Sequence, residues 1–244
     1  MSMQDPFQHH PKLRGKITDP ADSFFRDLTL DKIRALAEEH GMPVDWWYTD
    51  EEREAMRQTD LAGRMDQDLW IFGYGSLMWD PGVYFTEVRR ARVDGLARRF
   101  ILKEVNGGRG NAECPGLMAA LDTGDGCDGL VFRLAAEDLE CETRMLWQRE
   151  VIAPGYKVKF LTAQTICGPV EVMTFVADHD AAQIAADIDR DTQIECVAKA
   201  SGILGSSLEY LQNVAVKLRE LDIHDEDVES LLRDAEAYAA TMDG

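Results

Sequence analysis

The sequence predicts an α+β fold, a small β-barrel with flanking helices. Three observations carry that prediction. Between Leu69 and Ala177, apolar and alternating runs bounded by turn residues read as strands. One convincing helix interrupts them, from about Ala136 to Glu150. After His179 the chain turns helical. Many strands around few helices argue for a sheet closed, or nearly closed, on itself.

Residues 1–67 read as a helical N-terminal extension and 68–244 as the domain proper. In the extension, Leu30 to His40 is a helix closed by Gly41. A second runs from Thr49 to about Arg64, opened by the capping-box pair Thr49 and Glu52, with Pro43 separating the two. His9-His10 reads as a surface pair near a loose terminus. Leu69 to Tyr74 is a buried strand ending in glycines. Leu117 to Leu121 and Leu130 to Leu134 read as a hairpin, because Asp122-Thr123-Gly124-Asp125-Gly126 between them is a strong turn signal. Tyr156 to Phe160 alternates as a half-exposed strand does, and Val170 to Val176 supplies another. Ser206 with Glu209 opens a helix through Leu208, Leu211, Ala215 and Leu218. Asp225 to Met242 begins acidic and continues apolar at helical spacing.

A chain of 244 residues can hold one well-buried domain with an appended element. Its net charge of −19 argues against a nucleic-acid partner, which needs clustered Lys and Arg, and Arg98-Arg99 is too little. The acid reads instead as solvated surface. Five cysteines, with no close pair and no C-x-x-C, support neither a disulfide framework nor a zinc site. His179 and His224 stand far apart, and no metal site is indicated. Met1 to Pro6 lacks a basic segment followed by an apolar one, and no run approaches a membrane span, so the expected location is cytoplasmic.

Two places could carry chemistry without metal or cofactor. On a helix, Glu150 lies roughly 40° from Leu146 and about 20° from Leu139, which puts a carboxylate on the apolar face. Such a group is costly unless paired or protonated. It is ion-paired, with Arg149 or another arginine, or it reaches water at a frayed helix end, or it is a general base whose pKa is lifted by desolvation and the negative helix end. From the residues alone the first two, structural, readings together outweigh the third. The turn Gly73-Tyr74-Gly75-Ser76 lacks the third glycine of a dinucleotide fingerprint and the G-x-S-x-G of a nucleophile elbow. It is an anion cradle or a tight turn at a barrel rim, and spacing alone favours the turn. Asn106-Gly107-Gly108-Arg109-Gly110 lacks the ending of a phosphate loop and reads as a flexible loop, with Arg109 a substrate contact or simply solvated.

Several ordered pieces together are more specific. They are Trp70-Ile71-Phe72-Gly73-Tyr74-Gly75-Ser76-Leu77-Met78-Trp79, Arg98-Arg99-Phe100, Gly108-Arg109-Gly110 followed by Pro115-Gly116, Gly129-Leu130-Val131-Phe132-Arg133-Leu134, Leu146-Trp147-Gln148-Arg149-Glu150 and Gly155-Tyr156. At this spacing the chain resembles the ChaC family of γ-glutamylcyclotransferases over about Leu69 to Asp178, and more weakly to about Leu221. Ala200-Ser201-Gly202 and Glu209-Tyr210-Leu211 resemble the family's closing motif, altered around Gly205. The resemblance implies a γ-glutamylcyclotransferase-like small β-barrel and cleavage of glutathione to 5-oxoproline and L-cysteinylglycine, with no cofactor. It also implies that the turn through Ile71, Phe72, Gly73, Tyr74, Gly75, Ser76 and Leu77 holds the γ-glutamyl group, and that Arg109 and Tyr156 contact substrate. Glu150 is implied as the general acid and base. Two alternatives remain at this stage. One is the same chemistry on other γ-glutamyl amines or amino acids. The other is a non-catalytic glutathione-binding regulator.

Overall fold

In a computed structural model that describes residues 5–44 and 46–242, five strands close into a barrel in the order β1-β3-β2-β4-β5. Met1 to Gln4, part of the stretch read as lacking a leader, lie outside the described residues. β1 (Leu69–Gly73) runs antiparallel to β3 (Asn111–Leu134), with Leu69 opposite Leu134 and Gly73 opposite Leu130. β3 pairs along its length with β2 (Glu87–Asn106), and β2 meets β4 (Tyr156–Thr165) at Ala91 to Val93. β4 and β5 (Gly168–Ala177) form a tight hairpin. A parallel contact of Ile71 with Met173 joins β5 to β1 and closes the sheet.

Two strand expectations are corrected here. Leu117 to Leu134 is one continuous strand, and Asp122 to Gly126 does not turn the chain back. The glycines there serve a bend, because the register with β2 shifts between Asp94 and Leu96, directly opposite. A Cβ at Gly124 would collide with that of Ala97. The long partner strand β2 was not foreseen, its arginines obscuring the alternation. The real hairpin turn is the loop after Asn106, where the Gly107 amide donates to the Gly110 carbonyl at 2.8 Å. This loop is pinned and not free. The Glu104 carboxylate accepts from the amides of Asn106, Arg109 and Gly110 at 2.7–2.9 Å.

The core is the barrel interior and the helices laid on it. Phe72, Phe100, Phe132, Phe175 and Trp147 are fully buried, each worth ~1.5–3 kcal/mol of transfer free energy. α3 (Leu139–Glu150) follows β3 and presents Leu139, Leu146 and Trp147 to this core. α4 (Arg190–Lys199) and a two-residue strand pair (Ser201–Gly202 with Gly205–Ser206) lead into α5 (Ser207–Glu220) and then α6 (Glu226–Met242). α5 is capped as expected, Ser206 accepting from the Glu209 amide at 2.9 Å. The next residue fastens it to the barrel. The buried Ser207 hydroxyl accepts from the Leu117 amide and donates to the Leu117 carbonyl, at 2.9 and 2.7 Å.

In the N-terminal segment, α1 (Leu30–His40) ends at Gly41 in the left-handed conformation. α2 (Asp50–Asp60) carries the full Thr49–Glu52 capping box and stops one turn before Arg64. Leu13, Ile17 and Leu61 enter the main apolar core. The His9-His10 pair is not loose. His10 Nε2 accepts from the Arg90 amide at 2.9 Å, and His9 Nε2 lies 3.1 Å from the buried Glu87 carboxylate. Among the described residues, no helix is long and apolar enough to cross a membrane.

Candidate active site

At the end of β1 the chain turns sharply through Tyr74 and Gly75 into a 3₁₀ turn at Ser76–Met78. Buried Arg98 on β2 holds this turn. Its Nε donates to the Tyr74 carbonyl at 2.6 Å, one Nη to the Asp128 carbonyl at 2.7 Å, and the other to Asp225. A trans peptide points its N–H opposite its C=O. Pinning the Tyr74 carbonyl toward Arg98 therefore aims the Gly75 amide the other way. Among the described residues, no protein group accepts from the Gly75 or Ser76 amides. Two adjacent unspent amides are left free to meet an anion.

Glu150 is the last residue of α3. It lines a small recess with Tyr74, Gly75, Ser76, Leu77, Tyr156 and Tyr210. Its side chain is 16% exposed, and Arg149 Nε lies 2.8 Å from Oε1. Arg149 thus provides the ion pair that the sequence allowed, while the carboxylate still faces the recess. The same guanidinium donates to the Ser76 hydroxyl at 2.8 Å and to the Asp80 carbonyl, and its Cζ lies 4.1 Å from the Phe25 ring centre. One arginine therefore ties the acid to the glycine turn. Burial pushes the Glu150 pKa up from 4.5, with Asp80 adding to the rise and Arg149 opposing it.

The three tyrosines of the recess are also pushed up, by burial first, with the Glu150 charge adding to the rise at each. They remain protonated where Glu150 is charged, so they can donate but cannot act as bases. Tyr156 spends its hydroxyl on the Ala119 carbonyl at 2.9 Å. The Tyr210 hydroxyl lies 2.8 Å from where a Cβ on Gly75 would sit. Gly75 has φ −127°, so close approach, and not a left-handed backbone, requires glycine there. Gly75→Ala should displace the Tyr210 hydroxyl and, if these amides hold an anionic substrate, steady-state kinetics should show KM raised ~10-fold or more, the cost of a hydrogen bond to a charged group. Loss of ~1 kcal/mol in stability would move Tm by only ~2–4 °C. A collapse of Tm would instead make the turn purely structural.

From the recess a cleft of about 290 Å³ opens outward, sharing Ser76, Glu150, Tyr156 and Tyr210. Arg109 lies in its wall, 5.1 Å from the Tyr210 ring centre, with one Nη donating to the Ser206 carbonyl at 3.1 Å. Burial lowers its pKa, which marks a cation short of solvent. Of the residues singled out from sequence, Tyr74, Gly75, Ser76, Leu77, Arg109, Glu150 and Tyr156 come together here. Ile71, Phe72 and Gly73 do not line the cavity. They lie in β1, the side chains of Ile71 and Phe72 turned into the core. Tyr210, Arg149 and Arg98 were not singled out as site residues. All three sit inside family-like motifs, and Arg149 was named as a partner for Glu150, but the bonds that tie Arg98 and Arg149 to the glycine turn and its surroundings span 24 to 127 positions in sequence. Among the described residues no histidine or cysteine lines recess or cleft, and no cluster is placed to hold a metal ion.

Over residues 69–238 the sequence matches the family described as ChaC-like protein. A glutathione-specific gamma-glutamylcyclotransferase of Escherichia coli K12 is 36% identical over 184 residues, covering 75% of this chain and 79% of the relative. The human glutathione-specific gamma-glutamylcyclotransferase 1 is 29% identical over 154 residues, covering 61% and 69% respectively. A crystal structure of the yeast γ-glutamylcyclotransferase specific to glutathione superposes with a TM-score of 0.63 at 20% identity. It covers 70% of this chain and 99% of that one. The barrel expected from the sequence resemblance is the fold these structures share.

Proposed function

Because the chain belongs to the ChaC-like family, we propose that it is a γ-glutamylcyclotransferase cleaving glutathione to 5-oxoproline and L-cysteinylglycine. The observation that carries the reading is the recess itself. It brings one carboxylate of raised pKa beside two unspent amides, with no histidine or cysteine among its described residues. Such a site suits a substrate that brings its own nucleophile.

Glutathione does so. Its α-amine can close a five-membered ring on its own γ-carbonyl. Glu150 takes a proton from the amine, the nitrogen attacks the γ-carbon, and a tetrahedral oxyanion forms. The amide C–N bond then breaks, and Glu150 returns the proton to the departing amine of cysteinylglycine. Water is neither added nor lost. The Gly75 and Ser76 amides and the Tyr210 hydroxyl would hold the α-carboxylate or the oxyanion. Because attack is intramolecular, the site chiefly freezes one rotamer and moves one proton. Arg109 would meet the glycine carboxylate at the outer end.

The test is product analysis. Purified protein with glutathione in ¹⁸O-labelled water should release 5-oxoproline and cysteinylglycine, with no free glutamate and no label in the product. Glutamate as the primary product would make it an amidohydrolase, and binding without turnover a regulator. Preference for another γ-glutamyl amine would keep the chemistry and change the substrate.

A further inference from the structure

The outer cleft has a wall that glutathione does not need. The family match begins at residue 69. Yet the inner face of the preceding segment supplies Phe24, Leu28, Ile33, Leu36, Met42 and Trp46 to the same cleft as Glu150 and Arg109. Met42 lies directly over Gly107 in the Arg109 loop, so the segment spans the cleft mouth. Phe25 beside them stacks on Arg149, which registers the segment against the catalytic end of α3. Across the cleft, Leu102, Met118, Ile152 and Ile203 continue the apolar surface.

A cysteinylglycine leaving group is small and polar, and its thiol gains little from such a wall. An apolar group carried on that sulfur would gain a great deal, ~fourfold in binding per buried methylene. We propose that this chain acts on S-substituted glutathiones, thioethers bearing an alkyl or aryl group, with the N-terminal segment as the subsite for the substituent. The inference rests on the γ-glutamylcyclotransferase reading and specifies its substrate class. The three parts of such a molecule match three parts of the site. The γ-glutamyl end meets the Gly75–Ser76 turn, and the glycine carboxylate meets Arg109, with Lys103 in the same wall. The sulfur substituent lies on the segment. A γ-glutamyl dipeptide of an apolar amino acid would fill the wall differently, since it lacks the glycine that places a carboxylate beyond the side chain. The bond changes are those already given. The α-amine nitrogen bonds to the γ-carbon, the amide C–N bond breaks, and the proton passes through Glu150 to the leaving amine. The thioether is untouched, and the products are 5-oxoproline and the S-substituted cysteinylglycine.

The experiment compares kcat/KM for glutathione and S-hexylglutathione on the full chain, read as 5-oxoproline release. Wild-type protein should favour the thioether. In Leu36→Asp and Trp46→Ala, each checked for an unchanged melting transition, the ratio of thioether to glutathione should fall at least tenfold. Equal or lower efficiency on the thioether in wild type overturns the inference and leaves the proposed function standing. So does a thioether preference that survives both substitutions, because the segment would then not be what recognises the substituent. Turnover of neither compound overturns the function and this inference together.

Discussion

Glu150→Gln should abolish turnover of glutathione while binding, measured by calorimetry, persists. The amide keeps the shape and can still accept from Arg149, but it cannot take a proton from the substrate amine. General acid–base groups contribute ~10²–10⁴-fold. In the proposed mechanism one group serves both proton transfers, so the loss should lie at or beyond the upper end. Glu113→Gln, on an exposed strand end, is the control. Glu104 is unsuitable because it holds the Arg109 loop. The pH dependence carries the same signature. The rate should fall as pH drops through a value above 4.5, because burial raises the pKa of the base. Stability moves the opposite way. An acid whose folded pKa is raised is most favourable to the fold when protonated. Its contribution is full below 4.5 and is lost as pH rises to the folded value. The glutamine variant should lack that decline in Tm. Near-normal activity in Glu150→Gln would remove this residue from the mechanism.

The second large effect is on the substrate. Acetylating the α-amine of glutathione should make it inert, although the scissile amide is unchanged. The acetylated nitrogen carries no usable lone pair, and the ring cannot close. A hydrolase using water would still cut the compound, so 5-oxoproline and glutamate assays on the Nα-acetyl compound separate the two chemistries. Because intramolecular attack supplies effective molarities of ~10⁵–10⁸ M, no compensating reaction with water should be visible. Glutamate released from the acetylated compound, once deacetylated for assay, would sink the cyclisation mechanism.

What could be read from the chain alone divides by the range of the interactions involved. β1 and its glycine turn declare themselves within ten residues, because an apolar run and two glycines are local facts. The caps at Thr49 and Ser206 are equally local, and both are present. The hairpin at Asp122 to Gly126 failed because a local turn signal lost to pairing with a strand some 30 residues upstream. Glu150 was visible as a carboxylate on an apolar helix face. Tyr210 lies in the stretch that resembles the family's closing motif, but nothing local says that it reaches the recess. Ser207, three residues before it, fastens α5 to Leu117, 90 positions away in sequence. The same holds for Arg98, read as too little charge for nucleic acid, whose three partners come together around one turn only in the fold.

The helix that ends in Glu150 is gripped near its beginning by the segment that precedes the family match. Arg26 closes a two-pronged bond on the buried Glu142 at 2.8 Å, and Arg57 reaches Thr143 and Glu140 at 2.9 Å. A buried carboxylate stripped of its arginine is far worse off than one that never had a partner to lose. Residues 5–67 are therefore a brace and not an appendage. Cutting them away would leave Glu142 buried without its arginine, and the strain would fall on the same helix that carries the acid at its other end.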